Sequence, residues 1–200
     1  VLDPAEAIVR GKEAAPGPVI LVETADCAGG GAAGDSVASL RALLDAANID
    51  DALVPVVDPQ AAKACHAAGS GAQLELTLGH NLDSRWGSPL KVRGHVEQLS
   101  DGRFTYQGGI WDGVTGEMGP TALFTIGGVR VLITTHATYD WADEQWQALG
   151  IDPRKARFVV AKNPMNFHNV YDETATATYI LDTPGPTPAS VKNLPFQYAE

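Results

Sequence analysis

The sequence predicts an α/β fold in which a mixed sheet is built from βαβ units and flanked by helices, with an antiparallel β-meander in the middle of the chain. Two short apolar runs, residues 19–23 and 52–57, are each followed by a segment with helical periodicity. This order of strand, helix, strand and helix is typical of a parallel sheet with right-handed crossovers. From residue 72 onward, polar and apolar residues alternate, which indicates half-exposed antiparallel strands.

The first helix is predicted from Pro4 to about Ala14, because Asp3 can cap its amino terminus and Pro4 fits the first turn. Residues 16–18, which are Pro-Gly-Pro, end this helix. The run 19–23 then forms a short strand of the kind that is buried on both faces of a sheet.

A glycine-rich loop leads to the second helix, for which Asp35 or Ser36 is the expected cap. The apolar stripe of this helix consists of Val37, Leu40, Leu43 and Leu44. The run 52–57 is the second strand. Pro55 places this strand at a sheet edge or a bulge, because proline cannot donate a hydrogen bond to the ladder.

Residues 58–59, which are Asp-Pro, repeat the cap signal for a third helix that ends near residues 69–71. The antiparallel strands that follow are predicted over residues 73–78, 90–99, 103–107, 121–126 and 129–134. The turn at residues 100–102 makes the third of these strands the return partner of the second. Two glycines, residues 127–128, close a hairpin between the last two strands.

The rest of the chain returns to alternating helices and strands. Helices are predicted over residues 140–149, with Gly150 as the stop signal, and over residues 166–174. Strands are predicted over residues 158–161 and 177–181, and residues 182–188, with three prolines, form an extended tail.

Composition limits the class of protein. With 200 residues, the chain is expected to form a single domain over 1–200, in which about 72–134 is a β-rich insertion or subdomain. A net charge of −10 without a Lys/Arg cluster argues against a nucleic-acid partner. No apolar run reaches the roughly 18–20 residues of a membrane span.

Cys27 and Cys65 form no metal-ligand pair and indicate reduced thiols in a cytoplasmic protein. Residues 1–4 look like a helix start, so no signal peptide is expected, and the absence of an initiating Met suggests a fragment or a processed chain.

The most informative segment is the loop between the first strand and the second helix. Backbone N–H groups converge at a strand, loop and helix junction of this kind, which is an anion-binding geometry. Gly29, Gly31 and Gly34 also match the G-x-G-x-x-G spacing of dinucleotide sites. Asp26 and Asp35, however, would repel a pyrophosphate, and the glycines begin late after the strand. Three interpretations stay open: a nucleotide- or phosphate-binding module, a purely structural or dimerisation domain, and a polar loop that faces a substrate or another domain.

Other candidate residues follow the strand at residues 158–161. Lys162 and Asn163 come directly after it, at the position where α/β proteins bind ligands. A lysine there can neutralise a carboxylate or hold an oxyanion. His168 lies slightly further along and is a further candidate. The histidines and cysteines show no spacing typical of a metal site, and no catalytic residue can be assigned from spacing alone.

With these segments in this order, the chain resembles the C-terminal domain of the MlrC family, the microcystinase C-like metallopeptidases of family M81. The family loop reads approximately D-N-P-G-G-G-x-x-G-D, and the residues that match it here are Asp26, Gly29, Gly30, Gly31, Gly34 and Asp35. Cys27 and Ala28 depart from it. Further similar segments are residues 99–104, 119–122, 150–153 and 159–162. Residues 166–168, which are Asn-Phe-His, stand where the family usually has His-Phe-Arg.

The resemblance implies a zinc-dependent hydrolase of peptide or amide bonds. It places the zinc ligands in an N-terminal metal-binding domain of the same protein, outside this chain, so that no metal is expected in this chain and the chain alone is expected to be inactive. The chain would be the C-terminal domain of a larger protein, and it would close a cleft around a peptide or small amide substrate. The matching loop residues, together with Lys162, Asn163 and His168, would face the substrate or the partner domain. The formation of a homo-oligomer is left open.

Overall fold

The computed structural model describes residues 1–140 and 142–190. The α-helices in these residues are α1 (Pro4–Glu13), α2 (Ala38–Asp45), α3 (Pro59–Ala68), α4 (Glu144–Gln147) and α5 (Phe167–Tyr171). The strands are β1 (Val19–Val22), β2 (Ala52–Val57), β3 (Gln73–Leu78), β4 (Leu90–Ser100), β5 (Arg103–Thr105), β6 (Thr115–Glu117), β7 (Thr121–Ile126), β8 (Val129–Thr134), β9 (Phe158–Ala161) and β10 (Ala177–Ile180). None of the described helices is long and apolar enough to cross a membrane.

Eight strands form one mixed sheet in the order β10-β1-β9-β2-β8-β7-β4-β3, and β5 and β6 form a separate ribbon. The five strands from β10 to β8 pair in parallel. The three strands from β7 to β3 extend the sheet by antiparallel pairing. The structure therefore confirms the predicted α/β class, with a mixed sheet and an antiparallel region in the middle of the chain.

The predicted caps of α1 and α3 are confirmed. Asp3 Oδ1 accepts a hydrogen bond from the N–H of Ala5 at 2.8 Å, which satisfies a free donor in the first turn of α1. Asp58 Oδ1 accepts one from the N–H of Ala61 at 2.9 Å and caps α3 in the same way. The hairpin between β7 and β8 is also confirmed, and Gly127 at its turn has φ of +57°.

The core lies on both faces of the sheet. Val19 and Leu21 of β1 pack into the cluster beneath α1, α2 and α3. Ile20 and Val22 alternate with them and pack into a second cluster with side chains of α4, α5 and β5. All four residues are at most 1% exposed, so the prediction that this strand is buried on both faces is confirmed.

The predicted edge position of the second strand is wrong, because β2 lies between β9 and β8. Pro55 is accommodated there because β2 pairs with β9 only at Ala52 and Leu53. The N–H of Ala52 points toward β8, where it donates to Gly128 O. Since successive residues of a strand alternate in direction, Pro55 lacks its N–H on the β9 side, where the pairing has already ended.

Three further predictions differ from the structure. Residues 103–107 do not return along β4: β5 pairs with β6, because β3 and β7 already occupy the two sides of β4. The helix predicted over residues 140–149 is reduced to α4. Its first part is not helical because Asp140 O accepts hydrogen bonds from the side-chain amides of Asn163 and Asn166. Trp141 lies outside the described residues. The helix predicted over residues 166–174 is also shorter in the structure, where it is α5.

Candidate functional site

The candidate site lies at the carboxyl ends of the parallel strands. β2 and β9 separate after their short paired segment, and this separation leaves an opening in the sheet. Residues 24–36, called the glycine loop below, and Lys162, directly after β9, occupy the opening. Ligand sites of α/β proteins lie at this edge of the sheet, where neighbouring crossovers diverge.

The glycine loop is attached to β2 through Gly34. The carbonyl oxygen of Gly34 accepts a hydrogen bond from the N–H of Val57 at 2.9 Å. Gly34 has φ of +77°, and a Cβ atom added to it would lie 2.7 Å from Val57 Cγ2. Both the backbone conformation and the lack of space therefore require glycine at this position.

A buried ion pair holds the loop in place. Lys162 Nζ donates hydrogen bonds to Asp26 Oδ2 at 2.8 Å, to Ser36 O at 2.8 Å and to Gly34 O at 3.1 Å. Lys162 is 6% exposed and Asp26 is 4% exposed. An ammonium group has three N–H donors, so all the donors of Lys162 are used inside the protein. The lysine thus joins the end of β9 to both ends of the glycine-rich segment.

Asp26 occupies the anion-binding position that the sequence predicts. Its Oδ1 accepts from the N–H of Gly34 at 2.9 Å, and its Oδ2 accepts from the N–H of Ser36 at 2.7 Å. These backbone donors, just before α2, are the groups that would bind a phosphate at a helix amino terminus. Because the carboxylate of the chain itself uses them, the geometry disfavours a nucleotide or phosphate at this position.

Asp35 has a different role from the cap that the sequence predicts. Its Oδ2 accepts from the N–H groups of Leu82 at 2.7 Å and Asp83 at 2.9 Å, so it holds the loop between β3 and β4. Asp35 is therefore not the cap of α2. The Ser36 hydroxyl is closer to the prediction, since its oxygen accepts from the N–H of Ala38, the first residue of α2, at 3.2 Å.

Sequence reasoning did not assign a role to Glu23, which is fully buried directly after β1. Its carboxylate accepts hydrogen bonds from the hydroxyls of Ser36 at 2.7 Å and Ser39 at 2.5 Å. The position of Glu23 at the end of a buried strand, thirteen residues before the first of these serines, was a signal for such a contact. The carboxylate ties the end of β1 to the start of α2.

Asn163 and His168 lie in different surroundings. Asn163 Oδ1 accepts from the N–H groups of Met165 at 2.8 Å and Asn166 at 2.6 Å, and its amide donates to Asp140 O. Asn163 thus shapes the turn that leads to α5. His168 has an exposed ring on α5, with Nδ1 2.7 Å from Asp172 Oδ1. Its surface groove is separate from the cavity lined by Lys162.

Gly29, Gly30 and Gly31, called the glycine crest below, are exposed at the tip of the loop. A Cβ atom on Gly29 would lie 2.8 Å from the ring of Tyr139, and one on Gly30 would lie 2.8 Å from Thr187 Cγ2. Gly31 has φ of +92° and open space around it. The crest is therefore supported from two sides and open on the third.

The carboxyl-terminal segment supports the same loop. The Thr187 hydroxyl donates to Thr24 O at 2.6 Å and accepts from the N–H of Cys27 at 3.3 Å. The N–H of Thr187 donates to Ala25 O at 3.1 Å.

Burial raises the pKa of the Cys27 thiol above its ordinary value of 9.0, so this thiol is protonated at neutral pH and is a poor nucleophile.

A cavity of about 70 Å³ lies between the glycine loop and the segment after β8. Asp26, Lys162 and Asp140 are among the residues that line it. Burial, together with the charges of Glu144 and Asp143, raises the pKa of the Asp140 carboxyl to about 7.

A zinc ion places defined requirements on its protein ligands. Zinc in proteins takes three or four ligands from Cys, His, Asp and Glu. Within residues 1–140 and 142–190, no group of three or more such side chains is arranged to hold a metal ion. The carboxylates of Glu23, Asp26, Asp35 and Asp58 are occupied by N–H and O–H donors. These residues do not fit a zinc site.

Comparisons with known proteins agree with the resemblance seen in the loop. A family model described as the MlrC C-terminus matches residues 21–198. Microcystinase C from Sphingomonas sp. is 31% identical over 152 residues, which cover 76% of this chain and 29% of that protein. A crystal structure described as "Putative metallopeptidase from Mesorhizobium sp. BNC1" has a TM-score of 0.87 and 26% identity, over 100% of this chain and 40% of the other. The chain spans less than half the length of either protein. It belongs to the family of MlrC C-terminal domains.

Proposed function

We propose that this chain is the C-terminal, cleft-forming domain of a zinc-dependent hydrolase of peptide or amide bonds. The zinc ligands would come from a metal-binding domain that precedes it in the same protein. The observation that carries this proposal is the family membership, supported by the descriptions of the two relatives as "Microcystinase C" and "Putative metallopeptidase". Both relatives are more than twice as long as this chain, which leaves room for such a domain.

The position of the amino-terminal residues supports the proposed arrangement. Leu2 forms a parallel bridge with Leu181, directly after β10. Since β10 is parallel to β1, Leu2 lies at the same edge of the sheet as the glycine loop. A domain joined ahead of Leu2 would therefore start at the edge where the glycine crest is exposed.

In this proposal the glycine crest approaches the substrate or the preceding domain, and Lys162 is a positioning residue. Glycines permit a close approach because no side chain stands between the backbone and a ligand. The ammonium group of Lys162 is 2.8 Å from Asp26 and is saturated by internal acceptors, so it acts by fixing the loop. Asn163 would fix the neighbouring turn, and His168 would contribute only to the separate groove.

The experiment uses the full-length protein that carries this chain, loaded with zinc, and a linear peptide substrate. Gly31→Asn adds a side chain to the crest at a backbone conformation that asparagine tolerates. Gly127→Asn is the matched control, because Gly127 also has a positive φ and open space but lies in the β7–β8 turn at the opposite edge. We expect kcat/KM to fall at least about tenfold in Gly31→Asn, a loss of about 1.4 kcal/mol of transition-state stabilisation, and to stay unchanged in the control.

Two outcomes would contradict different parts of the proposal. Equal kcat/KM values for both variants, at equal thermal stability, would show that the glycine crest does not line the substrate cleft. Absence of zinc-dependent peptide hydrolysis in the unmodified full-length protein would remove the hydrolase function itself. Metal analysis of the 200-residue chain adds a separate check, since one tightly held zinc per chain would overturn the assignment of the ligands to another domain.

A further inference from the structure

The cavity beside the glycine loop has an apolar wall and two carboxyl groups, of which that of Asp26 is paired with Lys162. Its volume of about 70 Å³ restricts it to a group of a few heavy atoms. The apolar part of the lining comes from Met118, Leu132, Trp146 and Val160. Strands β2, β8 and β9 supply the floor, so the cavity is preformed by the sheet.

Asp140 supplies the second carboxyl group, and no cation pairs with it within residues 1–140 and 142–190. Its backbone oxygen is fixed by Asn166 at 2.9 Å, whereas its carboxyl oxygens have no hydrogen-bond donor among the described residues. Lys162 also lines the cavity, but its three donors are used by the glycine loop. Asp143 and Glu144 add further negative charge next to Asp140. A ligand that brings a positive charge would therefore relieve an existing repulsion.

We propose that this cavity binds a primary alkylammonium group, with Asp140 as the counter-ion and the apolar wall around the short alkyl chain. The inference does not depend on the hydrolase function, since it concerns binding alone. Such a group occurs at the end of a lysine-type side chain and at the amino terminus of a peptide. The alkyl part gains from burial at roughly 25 cal/mol per Å² of apolar surface, and the ammonium gains from the unpaired carboxylate.

Binding of a cation is linked to the protonation of Asp140. The carboxyl must be ionised to pair with an ammonium, and burial with the like charges nearby raises its pKa to about 7. Affinity should therefore fall about tenfold for each pH unit below 7 and level off above it. Other titratable groups could also change charge near Asp140. They are Cys27, Tyr106, Tyr171, Asp143, Glu144 and the Asp26–Lys162 pair. Burial raises the pKa of Cys27 above 9.0, that of Tyr106 to about 12 and that of Tyr171 well above 10.0, so these three stay neutral between about pH 5 and pH 8.

The test titrates the full-length protein with n-propylammonium at pH 6, 7 and 8, with 1-propanol as the neutral probe of similar size. Asp140→Asn removes the counter-ion, and Asp50→Asn is the control because Asp50 is an exposed acid with the same charge change. We expect Asp140→Asn to bind n-propylammonium at least about tenfold more weakly at pH 8 and without pH dependence. Asp50→Asn should bind like the unmodified protein, and 1-propanol should show no pH dependence in any variant.

Two more probes distinguish the sources of the ammonium group. N-acetyl-lysine amide carries only a side-chain ammonium, and alanine amide carries only an α-ammonium, so the tighter one identifies the natural group. The carboxyl ¹³C resonance of Asp140 gives an independent measurement, because its midpoint should shift to lower pH when n-propylammonium is added. Equal affinity of the unmodified protein and Asp140→Asn, or no saturable binding of n-propylammonium at millimolar concentrations, would overturn the proposal. Activity of the full-length enzyme is not used in this test, so its result is separate from that of the proposed hydrolase function.

Discussion

Replacement of Lys162 by methionine tests whether the buried ion pair fixes the glycine loop. Lys162→Met keeps a long unbranched side chain and removes all three hydrogen bonds from Nζ. Removing one partner of a buried pair typically costs about 3–5 kcal/mol. Asp26 would retain the N–H groups of Gly34 and Ser36, so the lower end, about 3 kcal/mol, is expected. In a domain of this size, that loss lowers Tm by about 6–12 °C.

Urea denaturation followed by circular dichroism measures the free energy of unfolding for this comparison. The control variant is Arg103→Met, because Arg103 pairs with Glu117 at 2.9 Å and both side chains are more than half exposed. This surface pair should contribute less than about 1 kcal/mol. If Lys162→Met also costs less than about 1 kcal/mol at an unchanged m-value, the pair is screened by solvent and does not hold the loop.

Three further predictions concern the same region. Gly34→Ala should lower the free energy of unfolding by about 2–5 kcal/mol, from positive-φ strain and overpacking against β2. Gly31 has open space around it, so Gly31→Ala should cost only the positive-φ strain of about 1–2 kcal/mol. Equal losses of unfolding free energy in the two variants, measured by urea denaturation, would show that contact with β2 contributes nothing at Gly34. Thr187→Val removes the two hydrogen bonds of the Thr187 hydroxyl, a loss of about 1–2 kcal/mol, and should raise the rate of hydrogen exchange at the Cys27 amide about 5–30-fold. An unchanged exchange rate would show that Thr187 does not support the glycine loop. The pKa of Asp140 is raised from 3.8 to about 7, so its contribution to stability is present below about pH 4 and is lost as the pH rises through 7. Asp140→Asn should therefore reduce the fall in stability between pH 4 and pH 7, and an identical pH profile by thermal denaturation would contradict the assignment.

The strands could be predicted from local pattern because their signals are complete within a few residues. The bounds of β2, β3, β7, β8 and β9 agree with those predicted from apolar runs, alternation and turn glycines. Pro55 shows the limit of this approach. A proline predicts a missing donor, but only the three-dimensional pairing shows that β9 has already separated from β2 at that level.

The sequence indicates which residues are candidates for a site, but it does not give their contacts. Asp26 is a candidate because it matches the family loop, and Lys162 because it follows a buried strand, yet they are 136 residues apart along the chain. Nothing in either local pattern indicates that the lysine neutralises this carboxylate rather than a ligand. The hydrogen bonds from Asp35 to residues 82 and 83 are equally non-local, and they explain why this residue does not cap α2.

The G-x-G-x-x-G spacing of the loop has a physical explanation without a phosphate. The spacing produces converging N–H groups before α2, and these groups favour an anion. Here Asp26 is that anion, and Lys162 compensates its charge within a buried pair. A covalently attached anion cannot dissociate, so these donors are satisfied without a bound ligand. A surface that is ordered before binding avoids the entropic cost of ordering it on contact. The internal carboxylate therefore converts a typical anion-binding loop into a fixed support for the exposed glycine crest.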